Sequence, residues 1–364
     1  MLRFVLTVSL FCWGFEATDA TLTCKNKNNG DVDWYILYKA PKTKITDKMV
    51  RTGLEFLYID SSNSKAEKIN DINDPNGVLA NTLRPLFTPI RKMSDNIGFI
   101  SYSDQPPGCS ASNWFGHSKG VLVVDKTSTG LWLLHSTPQF PYRRDQNNFW
   151  PPSGKENAQT FICVTFTYEQ FKEIGKHLQY IRAFPFEHDI PEDFHQELKD
   201  AVNWEVQTPP NNWVPMMSKG GQDFRSIAKV ELEADDAQGG DLYVAIAQLA
   251  GSDLDVHSWR CDEDPDGPYC GGKYKVLNIK TIKTDWGTWG SEDHSKWCVA
   301  KTNDWTCIGD LNRALTQYKR PGGALCINLK KVNRLFRTFV DKTSECIDDF
   351  SDLDCDTSRK KPKH

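Results

Sequence analysis

The sequence predicts a mixed α/β fold in which mixed sheets are flanked by helices. Short runs rich in branched and aromatic residues recur along the first half of the 364-residue chain, and glycine, asparagine, aspartate or proline bounds them. Stretches with apolar residues at helical spacing lie after these runs. This combination is typical of layered α/β proteins. The chain is long enough for one large domain or two medium ones, and it can bury a substantial core.

Five segments of the first half are predicted to be strands. They are DWYILYKA (33–40), IGFISY (97–102), GVLVVD (120–125), LWLLHS (131–136) and TFICVTF (160–166). The intervening KTSTG (126–130) suits a hairpin turn between the third and fourth strands.

Two helices are predicted after these strands. Residues 168–183 place apolar side chains on one helical face, namely Phe171, Ile174, Leu178 and Ile181. Residues 191–204 have a proline at the predicted first turn. The second half repeats the mixture and contains a further helix near 331–340. Residues 205–222, with paired prolines and glycines, are the best candidate boundary between the halves.

Residues 1–20 have the pattern of a secretory signal peptide. Arg3 gives a positive start, Phe4–Phe15 an apolar run, and Ala17 and Ala20 small residues at a cleavage site. A membrane anchor is the alternative, but the apolar run is too short to span a bilayer. We therefore expect a soluble mature protein that is lumenal or secreted.

The charge pattern does not indicate a polyanion-binding protein at neutral pH. The formal net charge is −4, and protonation of all eight histidines would change it to +4. An acidic compartment would therefore reverse its sign. The basic tail at 357–364 is expected to be a solvated end.

Ten cysteines remain after removal of the predicted signal peptide, which contains Cys12. An even number in a secreted chain predicts disulfides. A zinc site built from His294, Cys298 and Cys307 is the alternative, but its spacing matches no common zinc motif.

The tripeptide His-Ser-Lys occurs twice, in FGHSKGV (115–121) and in EDHSKWC (292–298). The first copy runs directly into the predicted strand 120–125. In an extended segment the histidine and the lysine lie on one side and the serine on the other. Two surface-loop triplets that match by coincidence are the alternative interpretation.

A histidine beside a lysine provides groups that phosphoryl chemistry uses. Lysine is a point charge for phosphoryl oxygens, and histidine attacks phosphorus or donates a proton to a leaving oxygen. Hydrolysis through a covalent intermediate needs both a nucleophile and a general acid. Two copies brought together by similar half-domains would supply both.

The chain resembles the deoxyribonuclease II family of acid endonucleases. The resemblance runs from near Cys24 to near Cys346, and its segments occur in the family's order. They are VDWYILYK (32–39), YSDQPP (102–107), GHSKGVLVVD (116–125), GLWLLHSTPQFP (130–141), QTFICVTF (159–166), EDHSKWC (292–298), WTCIGDLNR (305–313) and GGALC (322–326).

The resemblance implies a relationship to the phospholipase D superfamily, with two pseudo-symmetric halves that form one active site. We expect an N-terminal half at 21–210 and a C-terminal half at 211–356. It also implies a metal-independent, cofactor-free endonuclease that works at acid pH and leaves 3′-phosphate and 5′-hydroxyl ends. The substrate would be double-stranded DNA, cleaved with little sequence preference. The enzyme would act in lysosomes or after secretion, and no membrane contact is expected. A homodimer is left open.

The same resemblance assigns catalytic roles to His117, Lys119, His294 and Lys296. His135 matches a further family histidine, for which a supporting role is favoured over a structural one. GDLN (309–312) is similar to the superfamily's Gly-Ser-x-Asn, with Asp310 in place of serine. Asn312 is then expected to bind a phosphate oxygen or to fix His294.

One position departs from the superfamily pattern. The aspartate of HxKxxxxD is absent, because Val124 and Lys301 stand at the two positions and Asp125 comes one place late. The carboxylates that orient the imidazoles are therefore unidentified. Asp293, Glu292 and Asp310 are the candidates.

The resemblance also pairs Cys24 with Cys163, Cys307 with Cys326, and Cys346 with either Cys261 or Cys270. Cys298 is expected to be free. Two other classes of function stay open, a non-catalytic secreted DNA-binding protein or toxin and a phospholipase.

Overall fold

The computed structural model describes residues 21–43, 50–63, 65–210, 212–229, 240–261 and 264–347. The predicted signal peptide at 1–20 and the basic tail at 357–364 lie outside these residues.

The first half of the chain forms one sheet of eight strands. A separate antiparallel pair, β1 (Cys24–Lys25) and β2 (Asp31–Val32), precedes it. The eight strands are β3 (Trp34–Lys39), β4 (Phe56–Asp60), β5 (Glu67–Ile69), β6 (Ile97–Ser103), β7 (Lys119–Asp125), β8 (Thr129–His135), β9 (Gln159–Thr167) and β10 (Pro185–Asp189). Their order is β10-β6-β7-β8-β9-β3-β4-β5, with antiparallel neighbours throughout. All five predicted strands are confirmed, and residues 126–128 make the predicted turn.

The second half forms a sheet of nine strands. They are β11 (Val214–Met217), β12 (Asp223–Ala228), β13 (Leu254–His257), β14 (Val276–Thr284), β15 (Gly287–Trp289), β16 (Trp297–Ala300), β17 (Trp305–Gly309), β18 (Gly323–Asn328) and β19 (Val340–Thr343). The order is β11-β12-β18-β17-β16-β13-β14-β15, and β19 pairs with β14. The sheet is mixed because β13 and β14 run parallel while the other pairs are antiparallel.

The described helices are few and short. They are α1 (Val78–Leu83), α2 (Gln170–Tyr180), α3 (Gln196–Val202), α4 (Leu242–Ala250), α5 (Leu315–Tyr318) and α6 (Lys330–Phe339), with 3-10 turns at Arg84–Phe87, Ile90–Lys92, Arg144–Gln146 and Pro152–Lys155. The mixed α/β prediction is confirmed, with more sheet than helix. None of the helices in the described ranges combines the length and the apolar character that crossing a membrane requires.

The predicted helix at 191–204 is wrong at its N-terminal end, because α3 begins only at Gln196. Residues 191–194 instead form a turn in which Phe194 N–H donates to the Pro191 carbonyl. His195 then stacks on Tyr168, with 4.1 Å between ring centroids. This tertiary contact fixes His195 in a non-helical conformation and delays the helix.

The two sheets share one apolar core with α2, α3 and α6. Trp132 and Ile162 of the first sheet and Trp297 and Leu325 of the second belong to this core, and Phe336 joins it from α6. The opposite face of the first sheet packs against α1, and that of the second against α4. Each completely buried aliphatic or phenyl side chain contributes about 1.5–3 kcal/mol. The shared core therefore fixes the position of one sheet relative to the other.

Disulfides join segments that are distant in the sequence. Cys24–Cys163 and Cys307–Cys326 form as predicted, and Cys346 pairs with Cys270 rather than with Cys261. Cys298 is free and buried, as expected, and Cys109 is free and exposed. Because Cys307 is oxidised, it cannot serve the alternative zinc site.

Candidate active site

The first His-Ser-Lys copy lies where the chain enters β7. Gly116 N–H donates to the Arg182 carbonyl at 3.0 Å, and a Cβ atom at Gly116 would lie 2.7 Å from the Pro321 carbonyl oxygen. Only glycine, which has no Cβ atom, fits between these two segments. Lys119, the first residue of β7, is 3% exposed and points into the protein with His117. Both side chains contact one carboxylate and therefore lie on the same side, as the alternation predicts.

That carboxylate is Asp104, which follows β6. Its Oδ1 accepts a hydrogen bond from Lys119 Nζ, and its Oδ2 lies 3.7 Å from His117 Nε2 and 3.5 Å from Arg320 Nη2. Burial alone would raise the pKa of this carboxyl, but Lys119, His117 and Arg320 hold that pKa well below its usual range. In the sequence Asp104 belongs to the segment YSDQPP (102–107), and no role was predicted for it. An aspartate directly after a buried strand is the signal that was available.

The second copy lies at the start of β16. Lys296 Nζ donates to the His294 carbonyl at 2.9 Å, and the His294 ring packs against the Trp259 ring with 4.5 Å between centroids. Asn312 Oδ1 accepts from Trp259 N–H at 3.2 Å. Asn312 therefore holds the backbone of Trp259, whose ring lies against His294.

Each copy is tied by backbone to the other half of the chain. His117 N–H donates to the Pro321 carbonyl at 3.1 Å, and His294 N–H donates to the Ala158 carbonyl at 3.0 Å. The charges of the two copies also act on one another. Lys296 lowers the pKa of His117, and Lys119 lowers the pKa of Lys296. The lysines of the two copies therefore lie near enough for each to influence ionisable groups of the other copy.

The ionisable groups of this site are strongly perturbed. Burial lowers the pKa of His117 well below its ordinary value, and the cations Lys119, Lys296 and Arg320 act in the same direction. Burial and the nearby Lys119 ammonium lower the pKa of Lys296 to about 8. Several buried cations around a histidine therefore favour its neutral form at mildly acid pH.

The carboxyl of Asp310 is influenced by the charges of both lysines, Lys119 and Lys296. Its Oδ2 accepts from Gly323 N–H at 2.9 Å, and its own N–H donates to the Gly323 carbonyl. Burial raises the pKa of Asp310 to about 7, although the Gly323 hydrogen bond and the ammonium groups of Lys119 and Lys296 oppose this rise. Asp310 is therefore a neutral carboxylic acid at mildly acid pH.

His135 ends β8, beside Lys119 on β7. Its Nδ1 accepts from Thr137 N–H at 3.2 Å, so its proton resides on Nε2 when the ring is neutral. That Nε2 is buried without a hydrogen-bond partner among the described residues. Burial and Lys119 lower the pKa of His135 well below its ordinary value. The ring is thus a neutral donor with an unused N–H.

The other candidate carboxylates have different partners. Asp293 accepts from Tyr38 O–H, from Trp289 Nε1 at 2.7 Å and from Ser295 N–H at 2.8 Å. Its Oδ1 also lies 3.9 Å from His257 Nδ1. No sequence pattern predicted this contact between His257 and Asp293.

Glu292 and Asp125 serve local turns. Glu292 Oε2 accepts from Gly290 N–H at 3.3 Å. Asp125 Oδ1 accepts from the Thr127 N–H at 2.8 Å in the β7–β8 turn. Within the described ranges no group of three or more histidine, cysteine, aspartate or glutamate side chains is arranged to hold a metal ion.

The structure is that of a mixed α/β protein in which each of two sheets carries one His-Ser-Lys segment at the start of a strand. A family model for deoxyribonuclease II matches residues 23–346. The chain belongs to the deoxyribonuclease II family, which confirms both the resemblance seen in the motifs and the enzyme class, a DNA-hydrolysing endonuclease type.

Several curated proteins are similar over nearly their whole length. Deoxyribonuclease-2-alpha of Sus scrofa is 34% identical over 341 residues, which cover 90% of this chain and 91% of that protein. Plancitoxin-1 of Acanthaster planci is 33% identical over 343 residues, with 90% and 94% covered. Cell-death-related nuclease 7 of Caenorhabditis elegans is 32% identical over 355 residues, with 95% and 93% covered.

Among solved structures, yeast tyrosyl-DNA phosphodiesterase aligns at a TM-score of 0.30 and 7% identity. The alignment covers 59% of this chain and 67% of that chain.

Proposed function

We propose that this protein is an acid endodeoxyribonuclease that hydrolyses DNA phosphodiester bonds and leaves 3′-phosphate and 5′-hydroxyl ends. The convergence of both His-Ser-Lys copies on one buried site carries this proposal, since a nucleophile and a general acid must act on the same phosphate. The family's named nucleases support DNA as the substrate.

The two copies are proposed to come from equivalent, phospholipase D-like halves, with the division near residue 210. Each copy precedes a strand that continues into an antiparallel hairpin, β7–β8 in the first half and β16–β17 in the second. Lys119 stands beside His135 at the end of its hairpin, and Lys296 accepts at its carbonyl from Gly309 N–H. This correspondence supports the pairing of the halves.

His117 is proposed as the nucleophile. Its imidazole lone pair attacks phosphorus while the bond from phosphorus to the 5′-oxygen breaks. The electron pair of that bond goes to the oxygen, which takes a proton from His294. The lowered pKa of His117 supports its role, because only a neutral imidazole has a lone pair for attack at acid pH.

His294 then acts as the base for the second step. It takes a proton from water, whose oxygen attacks the phosphohistidine, and the bond from phosphorus to the His117 nitrogen breaks. The products are a 3′-phosphate and neutral His117, and His294 is again protonated. Microscopic reversibility requires this exchange of roles.

The remaining site residues are proposed to stabilise charge and to position groups. Lys119 and Lys296 stabilise the charge on the phosphoryl oxygens. The unused N–H of His135 supports a hydrogen bond to phosphate. Asp310 keeps the site cationic while it is protonated, and Asn312 positions His294 through Trp259.

A lysosomal or secreted location is proposed, with DNA from engulfed apoptotic cells or ingested material as its natural substrate. The three disulfides between described cysteines support an oxidising environment. The toxin and the cell-death-related nuclease among the relatives support these settings.

Cleavage of supercoiled plasmid tests the activity. We expect nicking in excess EDTA, fastest near pH ~5 and falling above ~6.5, where an ordinary imidazole loses its proton. The new ends should accept phosphate from polynucleotide kinase without prior dephosphorylation. Strict dependence on Mg²⁺, or a best rate near pH ~8, would overturn the mechanism. Binding of plasmid without cleavage would instead support a DNA-binding protein, and release of choline from phosphatidylcholine would support a phospholipase.

Variants test the roles. His117→Ala and His294→Ala should each lower the rate by about 10³-fold or more, and the double variant should be little worse. A p-nitrophenyl diester, whose leaving group needs no proton, should form phosphoenzyme on the His294 variant and not on the His117 variant. His188→Ala, at an exposed histidine on β10, is the matched control and should cleave plasmid normally.

A further inference from the structure

An aromatic patch that the proposed mechanism does not use lies beside the first His-Ser-Lys copy. It consists of Trp114, Phe115, Phe184 and Trp204, whose rings contact one another at centroid distances of 4.7–6.3 Å. The Arg182 guanidinium lies 5.2 Å from the Trp114 ring centre. We call these five residues the aromatic platform.

The platform exposes large apolar rings to solvent. Trp114 is 45% exposed and Trp204 is 54% exposed, whereas Phe115 beneath them is 7% exposed. Contiguous exposed aromatic surface is uncommon on soluble proteins and marks interaction sites. Phe115 lies buried beneath the two indole rings and packs against both of them.

The backbone conformation of the platform is unusual as well. Arg182 has φ of 46° and Trp204 has φ of 63°, which places two bulky residues in the left-handed region. Each follows the end of a helix, α2 for Arg182 and α3 for Trp204, where a left-handed residue commonly closes the last turn, although glycine usually occupies that position. In both cases the strained backbone belongs to a residue whose side chain forms the platform.

The platform is continuous with the active site. Ser103 N–H, one residue before Asp104, donates to the Phe184 carbonyl at 2.9 Å. Arg320, which contacts Asp104, donates from Nη2 to the Phe115 carbonyl at 3.1 Å. The platform and the imidazole of His117 are therefore held by the same short segments.

We propose that the aromatic platform binds a nucleobase of the DNA strand under cleavage, by stacking on the Trp114 ring. Arg182 would pair with a neighbouring phosphate. This inference rests on the proposed nuclease function and adds a base-binding subsite to it. The chemistry favours an unpaired or extruded base, because stacking on a protein ring needs an exposed π-face that a paired base in a duplex does not offer.

The spacing fits this role. Trp114 precedes His117 by three residues, and three residues span at most about 10 Å. One DNA strand rises about 3.4 Å per nucleotide. The platform therefore lies within a few nucleotides of the phosphate at His117. Stacking also tolerates every base, which agrees with a nuclease of little sequence preference.

Binding to oligonucleotides with and without bases tests the proposal. The dissociation constants of single-stranded oligothymidylate and of an abasic oligomer of equal length and charge are measured near pH ~5, where the proposed cleavage is expected to be fastest. The His117→Ala background prevents cleavage. We expect oligothymidylate to bind about tenfold more tightly, and Trp114→Ala to remove most of that difference. If charge alone determined binding, the two oligomers would bind with equal affinity, both with and without the Trp114→Ala change.

Trp286→Ala is the matched control. Trp286 is a partly exposed tryptophan with the Lys68 ammonium 5.0 Å from its ring, near β5 at the opposite edge of the first sheet. This variant should keep the full preference for oligothymidylate. An equal loss in the Trp286 variant would overturn the proposal.

Cleavage assays separate this proposal from the proposed function. The active protein should cleave both plasmid and methyl p-nitrophenyl phosphate, and Trp114→Ala should raise KM for DNA about tenfold while kcat changes little. Loss of both activities from the unaltered protein would refute the nuclease function itself. Unchanged DNA affinity in Trp114→Ala would refute only the platform. Conversion of a dimer to a monomer by Trp114→Ala, seen in sedimentation, would identify the platform as an interface between two copies and also refute base binding.

Discussion

Replacement of Asp310 by asparagine should make the protein less sensitive to rising pH. The carboxyl is buried and its pKa is raised to about 7, whereas an aspartate in an unfolded chain titrates near pH ~3.9. Between these values the folded protein binds one more proton than the unfolded chain. The stability contributed by the protonated form is complete below the unfolded pKa and is lost as pH rises through the folded pKa. Asparagine resembles the protonated acid and does not titrate.

The size of the effect follows from the same shift. Each pH unit in this window costs about 1.4 kcal/mol for one proton, and the slope flattens near the folded pKa. From pH ~5 to pH ~7 the unaltered protein should therefore lose about 2 kcal/mol through Asp310. The free energy of unfolding of Asp310→Asn, relative to the unaltered protein, should rise by about this amount over the same interval.

Urea unfolding followed by tryptophan fluorescence, with disulfides kept oxidised, measures this difference. Asp31→Asn is the control, since the hydrogen bonds from Lys25 and Thr23 lower the pKa of Asp31 although partial burial opposes this, so Asp31 is ionised in both states over this pH interval. Its difference from the unaltered protein should not change between the two pH values. A difference for Asp310→Asn that stays constant or falls with pH would refute the assignment of a raised pKa to Asp310.

Further changes test other parts of the site and fold. Gly116→Ala should fold poorly or lose nearly all plasmid cleavage, because its Cβ would collide with the Pro321 carbonyl. Circular dichroism and nicking assays distinguish these two results. Full activity would show that the space around Gly116 accommodates a methyl group. Asp104→Asn should lower the free energy of unfolding by about 3–5 kcal/mol, because Lys119 loses its buried ionic partner; a change below about 1 kcal/mol in urea unfolding would contradict this pairing. Cys163→Ser should cost about 2–5 kcal/mol in the same assay through loss of the bond to Cys24, and peptide mapping that joins Cys24 elsewhere would contradict that disulfide.

Local sequence determined much of the first sheet. Strands at 33–40, 97–102, 120–125, 131–136 and 160–166 were predictable because branched and aromatic side chains favour extended backbone over a few residues. The N-terminal limit of α3 was not predictable from local sequence, because the stacking of His195 on Tyr168 is a contact between residues distant in the chain. The alternation that sets His117 and Lys119 on one side is likewise a local property.

The composition of the candidate site depended on contacts that no local pattern contains. The sequence identified the paired His-Ser-Lys segments and the family, but it left the carboxylate beside His117 unidentified. Asp104 fills that place only because β6 lies next to β7 in the first sheet. Cys270 was likewise chosen over Cys261 as the partner of Cys346 by the fold.

The sequence by itself determined which groups are present, a matched pair of histidines and lysines at strand entrances. Only the tertiary structure decided that their charges act on one another, because Lys296 lies near enough to lower the pKa of His117 and Lys119 lies near enough to lower the pKa of Lys296. It also decided their protonation, since a pKa depends on burial and on charges a few ångströms away. These distances are set by the packing of two sheets on one shared core, which is a property of the whole chain and of no single segment.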